Sequence, residues 1–230
     1  MSDVQYPEDR DSKLMKTFGV QYFEPEVKTI VKNKDNELYT YDAYIGEHKI
    51  DVEQGDCLFT IEKNIAKAGI VSGFYKGYES KHFAVKIRGY SPPNADVSLR
   101  GVTNLPYVNG CSTKQLFPPI RTGDPTFQYL RIPPYASEQA HHIHSTVRVV
   151  YILDGHGYSI VGMDKANVTE ELYAGKTIVL DPMCPHHFET DSEHLICLPV
   201  HIFSSSGAGE YNHPMFNGTF MMNQGQDPNV

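Results

Sequence analysis

"AHHIHSTVRVVYILDGHGYS", residues 140–159, places three histidines within four positions and follows them with an apolar run and a glycine turn. In an extended chain successive side chains point to opposite faces. His142 and His144 therefore share one face, and His141 takes the other. Continued down the run, the same alternation puts Arg148 with the histidine pair and sets Val147, Val149 and Tyr151 on the opposite face. Two imidazoles two residues apart on one strand can converge on a single metal ion. An HxH pair is also a common surface accident, so the reading turns on what else the chain brings to that face.

A second cluster answers this. Eight of the eleven histidines lie between positions 141 and 201. "GKTIVLDPMCPHHFET", residues 175–190, is a glycine turn, a strand, a proline-rich turn and another histidine pair. An antiparallel fold can set a histidine from this cluster against the first pair. Three neutral imidazoles suit iron, nickel, copper, zinc or cobalt, and ligand type alone does not choose among them.

Outward from these clusters, residues 127–203 break into strand-sized segments such as "FQYLRIPP", "GYSIVGM", "KTIVLD" and "HLICLPVHIF". Turn residues bound them at Asp154-Gly155, Ala174-Gly175, Asp181-Pro182 and Asp191-Ser192. Short strands at this spacing predict an all-β sandwich or barrel, with residues 127–203 as its core. Residues 37–126 read as a β-rich extension with short apolar runs, in which "IEKNIAKAG", 61–69, has room for one or two helical turns. Within it, 91–126 is rich in Pro, Gly, Asn and Thr, a connection long enough to wrap another surface. Residues 1–36 read as a polar, partly ordered arm, and 204–230 as a tail rich in Ser, Gly, Asn and Gln. The apolar face of Val147, Val149 and Tyr151 must be covered, by the 37–126 extension or by a second subunit.

The composition narrows the function. Hydrophobic residues make up 40% of the chain and charged ones 21%, a globular balance. A net charge of −8 argues against binding a phosphate backbone, so no nucleic-acid partner is expected. No run approaches the roughly 20 apolar residues of a membrane span. "MSDVQYPEDRDSKLMK" has no apolar core of a signal peptide, and Cys57, Cys111, Cys184 and Cys197 are scattered without a CxxC pair. Both features predict a cytoplasmic protein with reduced thiols and no covalent role for Cys184 or Cys197.

The two histidine segments resemble the paired motifs of the cupin superfamily. The first motif has the form G-x5-H-x-H-x3–4-E-x6-G, matched here by His142, His144 and Gly155. The second, G-x5-P-x-G-x2-H-x3-N, is matched by Gly175 and His186, with Asp181, Met183 and Thr190 at its proline, glycine and asparagine positions. The resemblance covers about 127–203. It implies a double-stranded β-helix, the jelly-roll barrel, with a divalent transition metal held by His142, His144 and His186. A proline-anchored alignment would instead choose His187, with Asp191 at the asparagine position; the spacing from Gly175 and the "PHHF" form favour His186. The opening glycine is replaced by Ala136, and the carboxylate ligand by Arg148. Cupins with three histidines and no carboxylate ligand are similar to thiol and diketone dioxygenases that hold iron(II). The resemblance therefore implies a mononuclear non-haem iron(II) dioxygenase, with Ni, Mn, Zn, Co or Cu as other ions. It also implies a homodimer. A non-redox cupin isomerase or lyase and a non-catalytic binding or sensing cupin are the alternatives.

Arg148 points to the substrate. A guanidinium cannot bind a cation, but it grips carboxylates through a planar fork of donors. Beside a divalent ion with neutral ligands it adds positive charge that an anion must offset. Either a protein carboxylate supplies that anion, with Glu138 and Glu189 nearest in sequence, or a small carboxylate-bearing substrate does.

Overall fold

The computed structural model of the chain describes residues 10–33, 39–63, 65–70, 75–90, 92–100, 104–121, 123–163 and 166–203. The first nine residues of the arm and the 204–230 tail lie outside them. The N-terminal part holds α1 (Arg10–Phe18), β1 (Val20–Phe23), β2 (Thr29–Lys32), β3 (Thr40–Ile45), β4 (His48–Val52), β5 (Asp56–Glu62), β6 (Ile65–Ile70), β7 (Tyr75–Ser80), β8 (Phe83–Arg88) and β9 (Ala95–Ser98). Next come β10 (Leu105–Pro106), a short 3-10 turn (Val108–Gly110), β11 (Ser112–Phe117) and β12 (Thr126–Ile132). The remainder is β13 (Thr146–Met163), β14 (Ala166–Tyr173), β15 (Thr177–Leu180), β16 (His186–Glu189) and β17 (Leu195–Phe203).

The barrel is organised around β13. Its first half lies between β15 and β17, in the order β1-β15-β13-β17-β12-β11-β10. Its second half pairs with β14 on one side and β16 on the other. These pairings are antiparallel, so one long strand serves two sheets and turns the corner between them. The corner is Asp154-Gly155, a pair whose residue types predict a turn between two strands. The chain does not reverse there; the register against β17 shifts between Ile152 and Asp154, as at a β-bulge. Gly155 sits at φ 83°, and a Cβ on it would lie 1.8 Å from the His194 carbonyl oxygen. Gly155→Ala should therefore lower unfolding free energy by about 3 kcal/mol, from left-handed strain plus a backbone clash. Urea denaturation reads this directly; an unchanged midpoint would mean that the corner is soft.

The alternation read from the sequence holds along the first half of β13. Val150 and Ile152 face the barrel interior with Leu130, Ile132, Ile178 and Leu195. Val147, Val149 and Tyr151 face outward and are buried against a second sheet of order β2-β3-β8-β5-β6-β9. Tyr41, Phe59, Phe83 and Val85 from that sheet cover them. Full burial of each valine side chain contributes about 1.5–3 kcal/mol. Strands of the 37–126 region thus shield this face within the same chain.

Two expectations need correction. Residues 61–69 form no helix: β5 and β6 make a hairpin with Ile61 opposite Ala66 and Glu62 opposite Ile65, turning through Lys63 at φ 56°. Cross-strand pairing overrides the helical preference of Ala and Lys there. The arm is also more than an arm, because β1 adds to the barrel sheet with Val20 opposite Leu180. α1 precedes it, and Met15 and Phe18 pack against the barrel's apolar interior cluster.

Candidate metal centre

The two motif segments meet through their backbones. His142 N–H donates to His186 O (3.1 Å), and His186 N–H donates to His142 O (2.9 Å). This single antiparallel bridge lies outside the named strand pairs. The continuous strand assumed for residues 141–152 is not present, since β13 begins only at Thr146. The bridge, not strand alternation, brings His142 to His186. Met183 N–H then donates to His144 O (2.6 Å), tying the second-motif turn to the first histidine segment. Met183 holds φ 66°, the left-handed conformation that favours the glycine usual at this motif position.

One ring nitrogen from each of His142, His144 and His186 lies within 4.8 Å of the others. An ion bound at about 2.0–2.1 Å holds its imidazole nitrogens roughly 3.0–3.5 Å apart, so small ring rotations close the set. The tautomers suit this. His186 Nδ1–H donates to Cys184 O (2.7 Å), and His142 Nδ1 lies 2.7 Å from Ala140 O in the same arrangement. Each such bond leaves Nε2 as the free base. His186 is 1% exposed. Burial first, then the Arg148 and His142 charges, hold its pKa well below the usual imidazole value. It is neutral near pH 7, as a ligand must be. These residues fit a transition-metal ion.

His187 turns the other way. Its Nδ1 shares a 2.7 Å hydrogen bond with His141 Nδ1, and its Nε2 lies 3.5 Å from Glu189 Oε2. The structure therefore brings His142, His144 and His186 together and leaves His141 and His187 as an outer pair.

The two histidine segments thus adjoin through one antiparallel bridge in a jelly roll, and three of their histidines converge. The fold is an all-β jelly-roll barrel, the architecture that the cupin resemblance implies.

Inside this barrel Arg148 is buried, with Val150 on the same face of β13 and His201 directly across on β17. Its Nη1 donates to His186 Nε2 (2.7 Å), the lone pair that a metal would take. Arg148 also lines a small cavity with Tyr107, Glu138, Gln139, Phe188 and His201. Of the two carboxylates considered for Arg148, Glu138 shares this cavity, whereas Glu189 is engaged with His187 outside. Glu138 is 5% exposed, and its Oε1 has no hydrogen-bond partner. Desolvation raises its pKa to about 7, against the opposing pull of Arg148.

Sequence reasoning missed Tyr107 and Gln139, which hydrogen-bond each other at the cavity wall. Both come from irregular segments whose spacing carries no signal. Cys184 and Cys197 are free and buried. Burial pushes the Cys184 thiol up to about 12, which keeps it protonated and unreactive. Thr190, at the motif's asparagine position, donates to Pro133 O (2.6 Å) and accepts from Ala136 N–H (3.1 Å). It fastens the loop that leads into the first histidines.

No protein-family model matches the chain, and no curated protein matches its sequence. Among similar solved structures is a cupin 2 conserved barrel domain protein from Leptotrichia buccalis, 17% identical with a TM-score of 0.45, over 78% of this chain and 90% of that one. Another is a point mutant of Bacillus subtilis oxalate decarboxylase, 10% identical with a TM-score of 0.46, over 80% and 77% of the two chains. A polyketide cyclase from Streptomyces resistomycificus is 22% identical with a TM-score of 0.34, over 44% and 69%. No helix among the described residues is long and apolar enough to cross a membrane.

Proposed function

We propose that the chain is a metal-dependent cupin enzyme, a mononuclear non-haem iron(II) dioxygenase acting on a small organic substrate that carries a carboxylate. The observation behind this reading is the convergence of three imidazoles beside a buried arginine that lines a cavity. His142, His144 and His186 would hold the ion. Bound there, iron(II) would supply a redox-active Lewis acid with open coordination positions. The chain's own side chains do the rest. Arg148 binds and orients the substrate carboxylate through its fork of donors. Leu130, Val150 and Phe188 on the cavity wall exclude water, which strengthens that pairing. The buried free thiols agree with a reducing cytoplasm as the place of action.

A second reading, a non-redox isomerase or lyase, is favoured by Glu138. A buried carboxyl with its pKa raised to about 7 is suited to proton transfer near neutral pH. Metal analysis of protein purified without added metal, followed by oxygen-electrode assays against carboxylic acids and thiols, separates the readings. Oxygen uptake matched to substrate loss supports the dioxygenase. Turnover under nitrogen supports the isomerase or lyase. Tight binding without turnover would make the chain a sensing protein and end both.

A further inference from the structure

Tyr107 is 2% exposed and lines the small cavity together with Glu138 and Gln139. A set of local bonds fixes where it stands. Tyr107 N–H donates to Cys111 O (2.8 Å), and Cys111 N–H donates to Val108 O (3.0 Å), which closes the 107–111 turn. Asn109 Nδ2 donates to Ser137 O (3.0 Å), and Ser137 Oγ donates to Gln139 O (2.6 Å). The turn is thus pinned to the segment that carries Glu138 and Gln139. The phenol ring itself belongs to the apolar cluster of Leu130, Ile132 and Val150, so it has little room to swing away.

One donor and one acceptor remain over at the cavity wall. Gln139 Nε2 donates to Tyr107 Oη, so the phenol accepts there and its own hydrogen is directed elsewhere. That hydrogen has no acceptor among the described residues. Burial, and then the neighbouring Glu138, raises the phenol's pKa, so the hydrogen stays in place. Glu138 is held by its backbone N–H, which donates to Phe188 O (2.9 Å). Its Oε1 is buried without a partner, and a carboxyl offers an acceptor oxygen whether or not it is ionised. Buried polar groups left in this state cost free energy until something pairs with them.

The free space measures about 20 Å³, room for one hydroxyl-sized group and not for a whole substrate. A carboxylate or carbonyl oxygen only accepts, and an ammonium only donates. A hydroxyl does both. It can accept from Tyr107 and donate to Glu138 Oε1. We propose that Tyr107 and Glu138 form a hydroxyl subsite, so that the substrate of this barrel is a small 2-hydroxy acid whose hydroxyl enters this cavity. The inference rests on the reading above that the substrate lies beside the metal ligands with its carboxylate on Arg148. Arg148 lines the same cavity, which sets the hydroxyl on the carbon next to that carboxylate. Neither Arg148 nor His201 supplies a bond to the hydroxyl, so their own partners do not bear on the subsite.

The test uses the full metal-carrying chain and isothermal titration with two ligand pairs, lactate against propionate and glycolate against acetate. Both members of a pair carry the same carboxylate, so the ratio of their affinities reads the hydroxyl alone. In the wild type each hydroxy acid should bind roughly 10–100-fold more tightly than its partner, because it satisfies two buried groups that the partner leaves unpaired. Tyr107→Phe keeps the ring and removes the donor, so the ratio should fall at least about fivefold. Glu138→Leu removes the acceptor. The lost charge acts on both members of a pair alike, and the ratio should again fall. Either variant suffices, so the failure of one to fold leaves the other to decide. Equal affinities within each pair in the wild type overturn the subsite and leave the carboxylate anchor standing. A preference that survives these substitutions at full metal content belongs to chelation of the ion and overturns the subsite as well. Binding of the hydroxy acids alone, lost in Tyr107→Phe, would keep the subsite and remove the anchor. If no member of either pair binds, anchor and subsite fall together.

Discussion

Replacing His186 by alanine should leave the purified protein with metal affinity reduced at least about 100-fold, while His187→Ala keeps wild-type metal content. Loss of groups that merely orient a ligand already costs about 10–100-fold, and loss of the ligand exceeds that. His186 is the one imidazole that the second motif contributes to the cluster. Its Nδ1 bond to Cys184 O and its burial fix the direction of Nε2. Compared metal-free, the variant should also be less stable than the wild type by about 1–3 kcal/mol, because Arg148 Nη1 loses its acceptor in a buried site. His187→Ala removes only the outer contacts to His141 and Glu189. Elemental analysis of both variants and thermal melts decide the matter. If His187→Ala loses the metal and His186→Ala keeps it, the ligand set proposed here is wrong.

The part of the fold that could be read from sequence is the part governed by local periodicity. The alternation at 147–152 separated the interior face from the covered face, because both faces are buried by different partners. Gly175, at φ 93° with Pro25 within 3.0 Å of a Cβ position, is a glycine for a backbone reason, and so it marks the second motif dependably. The spacing from it to His186 carries that reliability to the site. Other features depended on distant partners. An Asp-Gly pair serves a turn and a bulged corner alike, so nothing local told β13 to continue past Asp154. The hairpin at 56–70 exists because β5 also pairs with β8, which no pattern in "IEKNIAKAG" announces. Within the site, the histidines stood out because of their chemistry. Glu138 was legible only as a possible partner for Arg148. Its place in the cavity is set by the backbone bond to Phe188 across more than forty residues.

Arg148→Ala should weaken carboxylate binding by roughly one to two orders of magnitude while raising metal affinity. The two effects have separate causes. Charge-assisted bidentate pairing in a protected site is worth about 1.5–3 kcal/mol, and each 1.4 kcal/mol is tenfold in binding. The guanidinium also competes with a metal ion for His186 Nε2, which it holds at 2.7 Å, and it repels the ion's charge. Removing it frees that lone pair and removes the repulsion. Arg148→Lys should restore only part of the anion affinity, since an ammonium cannot reproduce the fork. Arg148→Glu restores the carboxylate that the cupin motif usually carries at this position. It should bind metal more tightly than the wild type and lose the anionic ligand. Metal dissociation constants and acetate dissociation constants across the three variants give the comparison. A structural salt bridge would behave differently: Arg148→Ala would unfold or shed metal, and the preference for carboxylates would be unaltered in whatever protein remained folded. In that outcome Arg148 neutralises Glu138 and nothing more, and the substrate of this barrel need carry no charge.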